Sequence, residues 1–445
     1  MNAPLYEALA ALAEKGEVRM HMPGHKGRAM TPLFSAAAID YTEIPPTGNL
    51  YTGEGPIAEA EALAAAAWGA PGAYFLTGGS TQGVLAGLAL CAAPGETILL
   101  DRNAHKSFFS AAALLDLRPV YLCGPTAEGV SAALAARPEI KTVCLTSPTY
   151  DGRILDIPAI AAACRASGAR LFVDGAHGAH FPFVGRGGCA VALGADASVC
   201  SAHKTLPALG SAAVLFTSGD FSAAEVRSRT ALFGTSSPSY PVMASIDWAR
   251  AYLEGEGGAR YREAAARTAA LRRAVNRRGV FHALTEEDGL TLDPTRLTVD
   301  TARAGLDGRK AGELLEQTFH IWPEMDDRRG VVCILTCADG VEEFARLEEA
   351  FQKLEAFAGG APLPPCPPPP APEICRTVRQ AIFGPRCRLP LGQARGRIAA
   401  ASIAPYPPGV PVAAPGERIT GEILDYFKTI GYPLDEPVFV LEEGA

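Results

Sequence analysis

Lys204 closes the run Ser201-Ala202-His203-Lys204, set between two short apolar stretches, Ala197-Ser198-Val199-Cys200 and Ala212-Ala213-Val214-Leu215-Phe216. A lysine held between buried strands cannot easily remain a solvated cation, because burial disfavours the ammonium and lowers its pKa. The resulting neutral amine is a nucleophile, and its common partner is the carbonyl of pyridoxal phosphate (PLP), with which it forms a Schiff base. One βαβ step upstream, Leu171-Phe172-Val173-Asp174-Gly175-Ala176-His177 puts Asp174 at the end of an apolar run. An aspartate so placed can pair with a protonated pyridine nitrogen and keep the ring an electron sink. Read singly, Asp174 is a helix cap and Lys204 a surface lysine. Read together, in their strand context, they point to PLP chemistry.

The elements that must position these residues follow from the hydrophobic pattern. Short apolar runs at 73–77, 97–100, 119–122, 141–145, 170–174, 197–200 and 212–217 alternate with stretches of helical spacing, which predicts a mainly parallel sheet of seven strands covered on both faces. Ligands of such sheets sit beyond the carboxyl ends of the strands. At the first end, Thr77-Gly78-Gly79-Ser80-Thr81-Gln82-Gly83 opens a helix with free N–H groups and two hydroxyls, a phosphate cradle without the lysine ending of a Walker loop. At the second, Asp101-Arg102-Asn103-Ala104-His105-Lys106-Ser107 places His105 at a helix start, either to stack on an aromatic ring or to cap the helix. At the third lies Ser147-Pro148-Thr149-Tyr150-Asp151-Gly152, where Thr149 or Tyr150 could reach a cofactor.

Composition narrows the alternatives. A formal net charge of −8 argues against non-specific nucleic-acid binding. The longest apolar windows fall short of a membrane span, and residues 1–9 read as an amphipathic helix rather than a targeting segment. Eleven cysteines, scattered and without the close CxxC pairs that would suggest zinc, suit reduced thiols in a cytoplasmic protein. No metal site is expected: Pro23 and Gly24 break any helix that would align His21 with His25, and Cys333 and Cys337 lie in a strand-and-turn pattern. The turn-rich stretch 42–57 reads as a long loop lining a site, followed by a helix from Glu59 to Trp68.

These motifs, in this order, resemble the Orn/Lys/Arg decarboxylase family. The resemblance continues through Gly234-Thr235-Ser236-Ser237-Pro238-Ser239-Tyr240 and through Pro405-Tyr406-Pro407-Pro408-Gly409-Val410-Pro411 to Pro415-Gly416-Glu417. It implies the aspartate-aminotransferase (type I) α/β fold, with a PLP-dependent transferase-like large domain, a small α+β domain and a C-terminal domain. It also implies a homodimer with a shared active site. Lys204 would bind the cofactor covalently, Asp174 would hold the pyridinium, and His105 would stack on the ring face opposite Ala176. Ser80, Thr81, Ser201 and His203 would surround the phosphate, joined by Thr235 or Ser236 from the partner subunit. His177 would sit at the substrate end of the ring. The chain resembles the short bacterial branch, without the wing domain of the large acid-inducible members.

The expected layout is an N-terminal helix and entrance loop at 1–40, a large PLP-binding domain at 41–255, a small domain at 256–360, a proline-rich linker at 361–372 and a C-terminal domain at 373–445. The activity implied is decarboxylation of a basic amino acid (arginine, lysine or ornithine) to a polyamine-type amine, with His177 or Lys204 returning the proton to Cα. Such a substrate needs an acidic group at its cationic end, for which Glu54 and Glu417 are candidates. Another PLP enzyme on the same fold, such as an aminotransferase, would share these residues, whereas a non-catalytic PLP-binding protein would have no need of Lys204, Asp174 and His105 together. An aminotransferase would add an arginine for the substrate carboxylate, and Arg397 and Arg418 are open to that role.

Overall fold

The structure, a computed structural model, describes residues 18–19, 43, 47–405 and 409–442. The N-terminal amphipathic helix, the His21–His25 segment and part of the Pro405–Gly409 turn lie outside the described residues.

All seven expected strands form: β1 (Gly72–Leu76), β2 (Thr97–Asp101), β3 (Arg118–Leu122), β4 (Thr142–Thr146), β5 (Arg170–Asp174), β6 (Ala197–Cys200) and β7 (Ala213–Thr217). They lie in one sheet in the order β1-β7-β6-β5-β4-β2-β3. Only β7 runs antiparallel to its neighbours. Alternation along the strands feeds two apolar layers. Ile98, Leu100 and Phe172 join one cluster with Val84, Leu88 and Phe108, while Leu99, Leu171 and Val173 join another with Ile160 and Leu134. Burial on both faces accounts for the nearly unbroken apolar runs that made these strands legible.

Helix α1 (Gly55–Trp68) starts four residues earlier than its spacing suggests, because Pro56 sits in the first turn, where its missing N–H leaves nothing unpaired. Helix α2 (Gly79–Cys91) presses against the sheet through Gly83 and Gly87. A Cβ on Gly87 would stand 2.2 Å from the Phe172 ring, so glycine there is what lets the helix lie this close. The same packing holds the α2 N-terminus beyond the end of β1. Helix α3 (Lys106–Leu115) has His105 as its N-cap, with Nδ1 accepting from the Ser107 amide at 3.3 Å.

A second, antiparallel sheet is built from His282–Ala283, Arg296–Asp300, Gly330–Ile334 and Met325–Asp326, with helices Gly308–Gln317 and Val341–Leu354 against it. The 23-residue helix Glu256–Arg278 connects it to the large sheet. Cys333 is buried in this unit's core, and Cys337 is buried in a cluster with Trp68, Phe216 and Tyr261. Two features lacked a clear sequence signal: the helix Tyr240–Glu254, and the hairpin of Arg386–Pro390 with Pro437–Leu441. Both hairpin strands are flanked by prolines, which mask a strand pattern.

The C-terminal unit is tied to the loop that carries His105. Arg102 donates to the Val412 carbonyl at 3.0 Å and pairs with Glu417 at 2.9 Å, and the Lys106 amide meets the Gly409 carbonyl at 3.3 Å. The Glu417 carboxylate is 1% exposed and also accepts from the Ala414 amide at 2.8 Å. Removing one member of a buried pair leaves the other charge uncompensated, at a cost of about 3–5 kcal/mol. Glu417→Ala is therefore expected to lower the thermal unfolding midpoint by several degrees, and a midpoint within one degree of the parent would refute this anchoring role.

Candidate active site

The sheet delivers the functional segments to one edge. Asp174 is the last residue of β5, and Lys204 lies in the short helix Ala202–Thr205 immediately after β6, the neighbouring parallel strand. Register therefore places the carboxylate and the amine at adjoining strand ends. Lys204 Nζ lies 2.9 Å from His177 Nε2 and 5.5 Å from the centre of the Tyr150 ring. The Tyr150 and His177 rings approach to 4.4 Å, and the Tyr150 hydroxyl donates to Glu324 at 3.2 Å.

The electrostatics follow from burial. Desolvation lowers the Lys204 pKa from the ordinary lysine value, against the opposing pull of Asp174 and Glu324, while Arg296 lowers it further. Desolvation also raises the Asp174 carboxyl, and Lys204 and the Ala176 amide only partly compensate. A buried carboxylate that accepts from the Ala176 amide at 3.1 Å calls for a further cationic or N–H partner. Burial above all, with smaller contributions from the nearby Lys204 and Lys106 side chains, brings His105 down to about 4.

His105 is thus neutral at pH 7, and its depressed value carries a stability consequence. Between its ordinary pKa of about 6.5 and about 4 the unfolded chain binds the extra proton. Stability should therefore fall as pH drops through that window and level off below it. His105→Phe is expected to remove this part of the acid sensitivity in urea unfolding without added cofactor, and an unchanged acid limb would contradict it.

The phosphate expectation rests on three places. Gly79 begins α2 with a φ of +70°, a left-handed turn that glycine adopts without strain, and Ser80 and Thr81 follow in the first turn. Ser201 Oγ is buried and has no hydrogen-bond partner among the described residues. His203 donates from Nδ1 to the Ala212 carbonyl at 2.8 Å. An orphaned buried hydroxyl beside a helix N-terminus fits an anionic group, and the raised Asp174 carboxyl fits a protonated ring nitrogen. The residues present therefore suit PLP.

Other expected residues lie apart from this cluster. Thr235 and Ser236 are exposed in the loop after the helix Ala223–Leu232, where the Thr235 carbonyl accepts from the Tyr51 hydroxyl at 3.0 Å. Glu54 is exposed at the start of α1. The structure corrects the expectation for Glu417, whose carboxylate is committed to Arg102 and the Ala414 amide and would have to abandon a buried charge to meet a substrate. The arginine candidates are likewise engaged within the C-terminal unit, Arg397 with the Leu441 carbonyl at 2.6 Å and Arg418 with Glu373 at 2.7 Å. A cavity of about 590 Å³ lined by Arg102, Tyr121 and Pro370 includes none of Lys204, Asp174 or His177, so cavity size does not locate the chemistry.

Two residues of the cluster carry no local sequence signal. Arg296 begins the second strand of the small sheet and donates to His177 Nδ1 at 3.1 Å, and Glu324, in the same unit, is buried behind Tyr150. Both reach the site across more than 100 residues of chain.

A mainly parallel sheet in this order, with a small antiparallel unit beside it, is the fold type I architecture of PLP-dependent enzymes. Solved lysine decarboxylases share it: the constitutive enzyme of Escherichia coli superposes with a TM-score of 0.73 at 22% identity, covering 99% of this chain and 82% of that one. The enzyme of Francisella novicida gives 0.74 at 19% identity, covering 89% and 73%. In sequence, an arginine decarboxylase of Bacillus subtilis (strain 168) is 30% identical across 98% of this chain and 96% of that protein. The constitutive lysine decarboxylase of Escherichia coli (strain K12) is 25% identical across 96% and 77%. The major domain of the Orn/Lys/Arg decarboxylases matches residues 3–290 and their C-terminal domain residues 373–432. The chain belongs to the Orn/Lys/Arg decarboxylase family, and it is an enzyme of the decarboxylase class. Among the described residues, no helix is long and apolar enough to cross a membrane.

Proposed function

We propose that this chain is a cytosolic, homodimeric arginine decarboxylase that carries PLP on Lys204. The observation that supports the reading most is the placement of the Lys204 amine and the Asp174 carboxylate at adjoining strand ends, beside the orphaned Ser201 hydroxyl. Arginine is favoured because full-length relatives of similar size, from Bacillus subtilis and Bacillus anthracis, are arginine decarboxylases. Bound here, PLP supplies an electron sink for the pair left behind when CO2 departs.

The residues do the rest. Lys204, its pKa lowered by burial, is shifted toward the unprotonated amine that serves as the nucleophile. Asp174 would pair with the protonated pyridine nitrogen, and that charge-assisted contact would offset the desolvation of its carboxylate. His105, neutral and fixed by Ser107 at 2.9 Å, presents its ring as a stacking surface opposite Ala176. Ser80, Thr81, Ser201 and His203 would hold the phosphate, and Thr235 or Ser236, exposed on its loop, would reach the partner subunit's phosphate. His177 Nε2 and Lys204 Nζ, 2.9 Å apart, are the groups that return a proton to Cα. Glu324, a buried acidic side chain beside Tyr150, is positioned to favour a cationic substrate.

The test is CO2 release from arginine, lysine and ornithine by the full chain with added PLP. Release from arginine at least about tenfold faster than from the others is expected, the scale of a contact difference of about 1.4 kcal/mol. Faster release from lysine or ornithine would overturn the arginine assignment, and release from none would overturn the reading.

A further inference from the structure

The His177 ring is buried and hydrogen-bonded at both nitrogens. Its Nδ1 lies 3.1 Å from a terminal guanidinium nitrogen of Arg296, and its Nε2 lies 2.9 Å from Lys204 Nζ. A guanidinium has only N–H donors and does not lose its proton in a protein. His177 Nδ1 must therefore present its lone pair, and the single proton of the neutral imidazole sits on Nε2. An imidazolium would set one N–H against another at Arg296. An Nε2–H aimed at Nζ in turn requires a lone pair on the amine, so Lys204 is neutral in this arrangement.

Arg296 is an expensive residue to place here. Its side chain is 1% exposed, and Nε and Nη1 are buried without partners among the described residues. The nearest acid, Asp293, stands 3.9 Å away and spends Oδ1 on His180 at 3.0 Å and on Thr295. A buried arginine this poorly satisfied is weak support for stability. Among the described residues, its one well-formed side-chain hydrogen bond goes to the ring that touches Lys204.

We propose that Arg296 is a positioning residue: by donating to His177 Nδ1 it fixes the tautomer that directs Nε2–H at Lys204 Nζ, and so keeps the amine unprotonated. The charged and titratable groups around that amine are Asp174 and Glu324, which favour the ammonium, Arg296, which opposes it, and His105, His177 and His203, whose pKa values are all lowered by burial. The inference rests on Lys204 being the reactive amine of the proposed function.

The full chain, before PLP is added, tests it by nitrogen-15 NMR of labelled histidines, with His177 assigned from its loss in His177→Gln. At pH 7 the Nε2 signal should be of the protonated type and Nδ1 of the unprotonated type. Arg296→Gln offers a carbonyl that can accept from Nδ1–H, so the pattern should mix or reverse, whereas Arg296→Lys, also donor-only, should keep it. In parallel, reductive methylation of Lys204 with formaldehyde, followed by peptide mass spectrometry, should shift to higher pH in Arg296→Gln by about one unit or more and stay near wild type in Arg296→Lys. A wild-type His177 protonated on Nδ1 would overturn the proposal, as would Arg296→Gln leaving both readouts unchanged. If Arg296→Gln fails to fold, the wild-type spectrum and Arg296→Lys still decide. Neither readout uses PLP, so a failure of Lys204 to carry the cofactor would defeat the proposed function while leaving the tautomer result standing.

Discussion

Replacement of Lys204 by alanine is expected to cut decarboxylation by on the order of 10⁴-fold or more, the scale of removing a covalent nucleophile from a site that works as a unit. The amine is not replaceable by its neighbours. His177 contacts it directly but is a neutral ring whose pKa is held low by burial and by the surrounding cations, and His203 is tied to the Ala212 carbonyl. Alanine removes the hydrogen bond to His177 and a partial counterweight to Asp174, so a modest loss of stability with the fold retained is expected. Stopped catalysis in a protein that still unfolds cooperatively is the expected pair of results. Activity within tenfold of wild type would remove Lys204 from the mechanism.

Asp174→Asn is expected to lower kcat by about 10²–10³-fold, the equivalent of about 3–4 kcal/mol in the barrier. Asparagine is nearly isosteric and can keep the contact from the Ala176 amide, 3.1 Å away in the parent. It cannot carry the negative charge that stabilises a pyridinium. The loss should therefore appear in kcat more than in KM, because the charge matters most as electrons flow into the ring. Equal loss in KM alone would mean that Asp174 serves binding and not the electron sink.

The large sheet was legible because its strands are buried on both faces, so their apolar runs stand out from the helical spacing between them. Lys204, Asp174 and His105 were legible for a related reason, since each sits within a few residues of a strand end and topology fixes where such ends point. Arg296 and Glu324 had no comparable signal. Each reads as an ordinary charged residue near the start of a strand in a different sheet, and only the docking of the small unit brings them to His177 and Tyr150. Glu417 shows the opposite failure. Its place in the Pro415-Gly416-Glu417 motif suggested a substrate contact, whereas its partner, Arg102, lies 315 residues away in sequence and uses it to fasten the His105 loop.

The central claim is that one lysine of this chain, Lys204, carries the cofactor. Incubation with PLP, reduction with borohydride and peptide mapping would test it most directly. The account predicts a stable phosphopyridoxyl adduct on Lys204 and its absence from Lys204→Ala. An adduct concentrated on another lysine, or undiminished labelling in the variant, would contradict it.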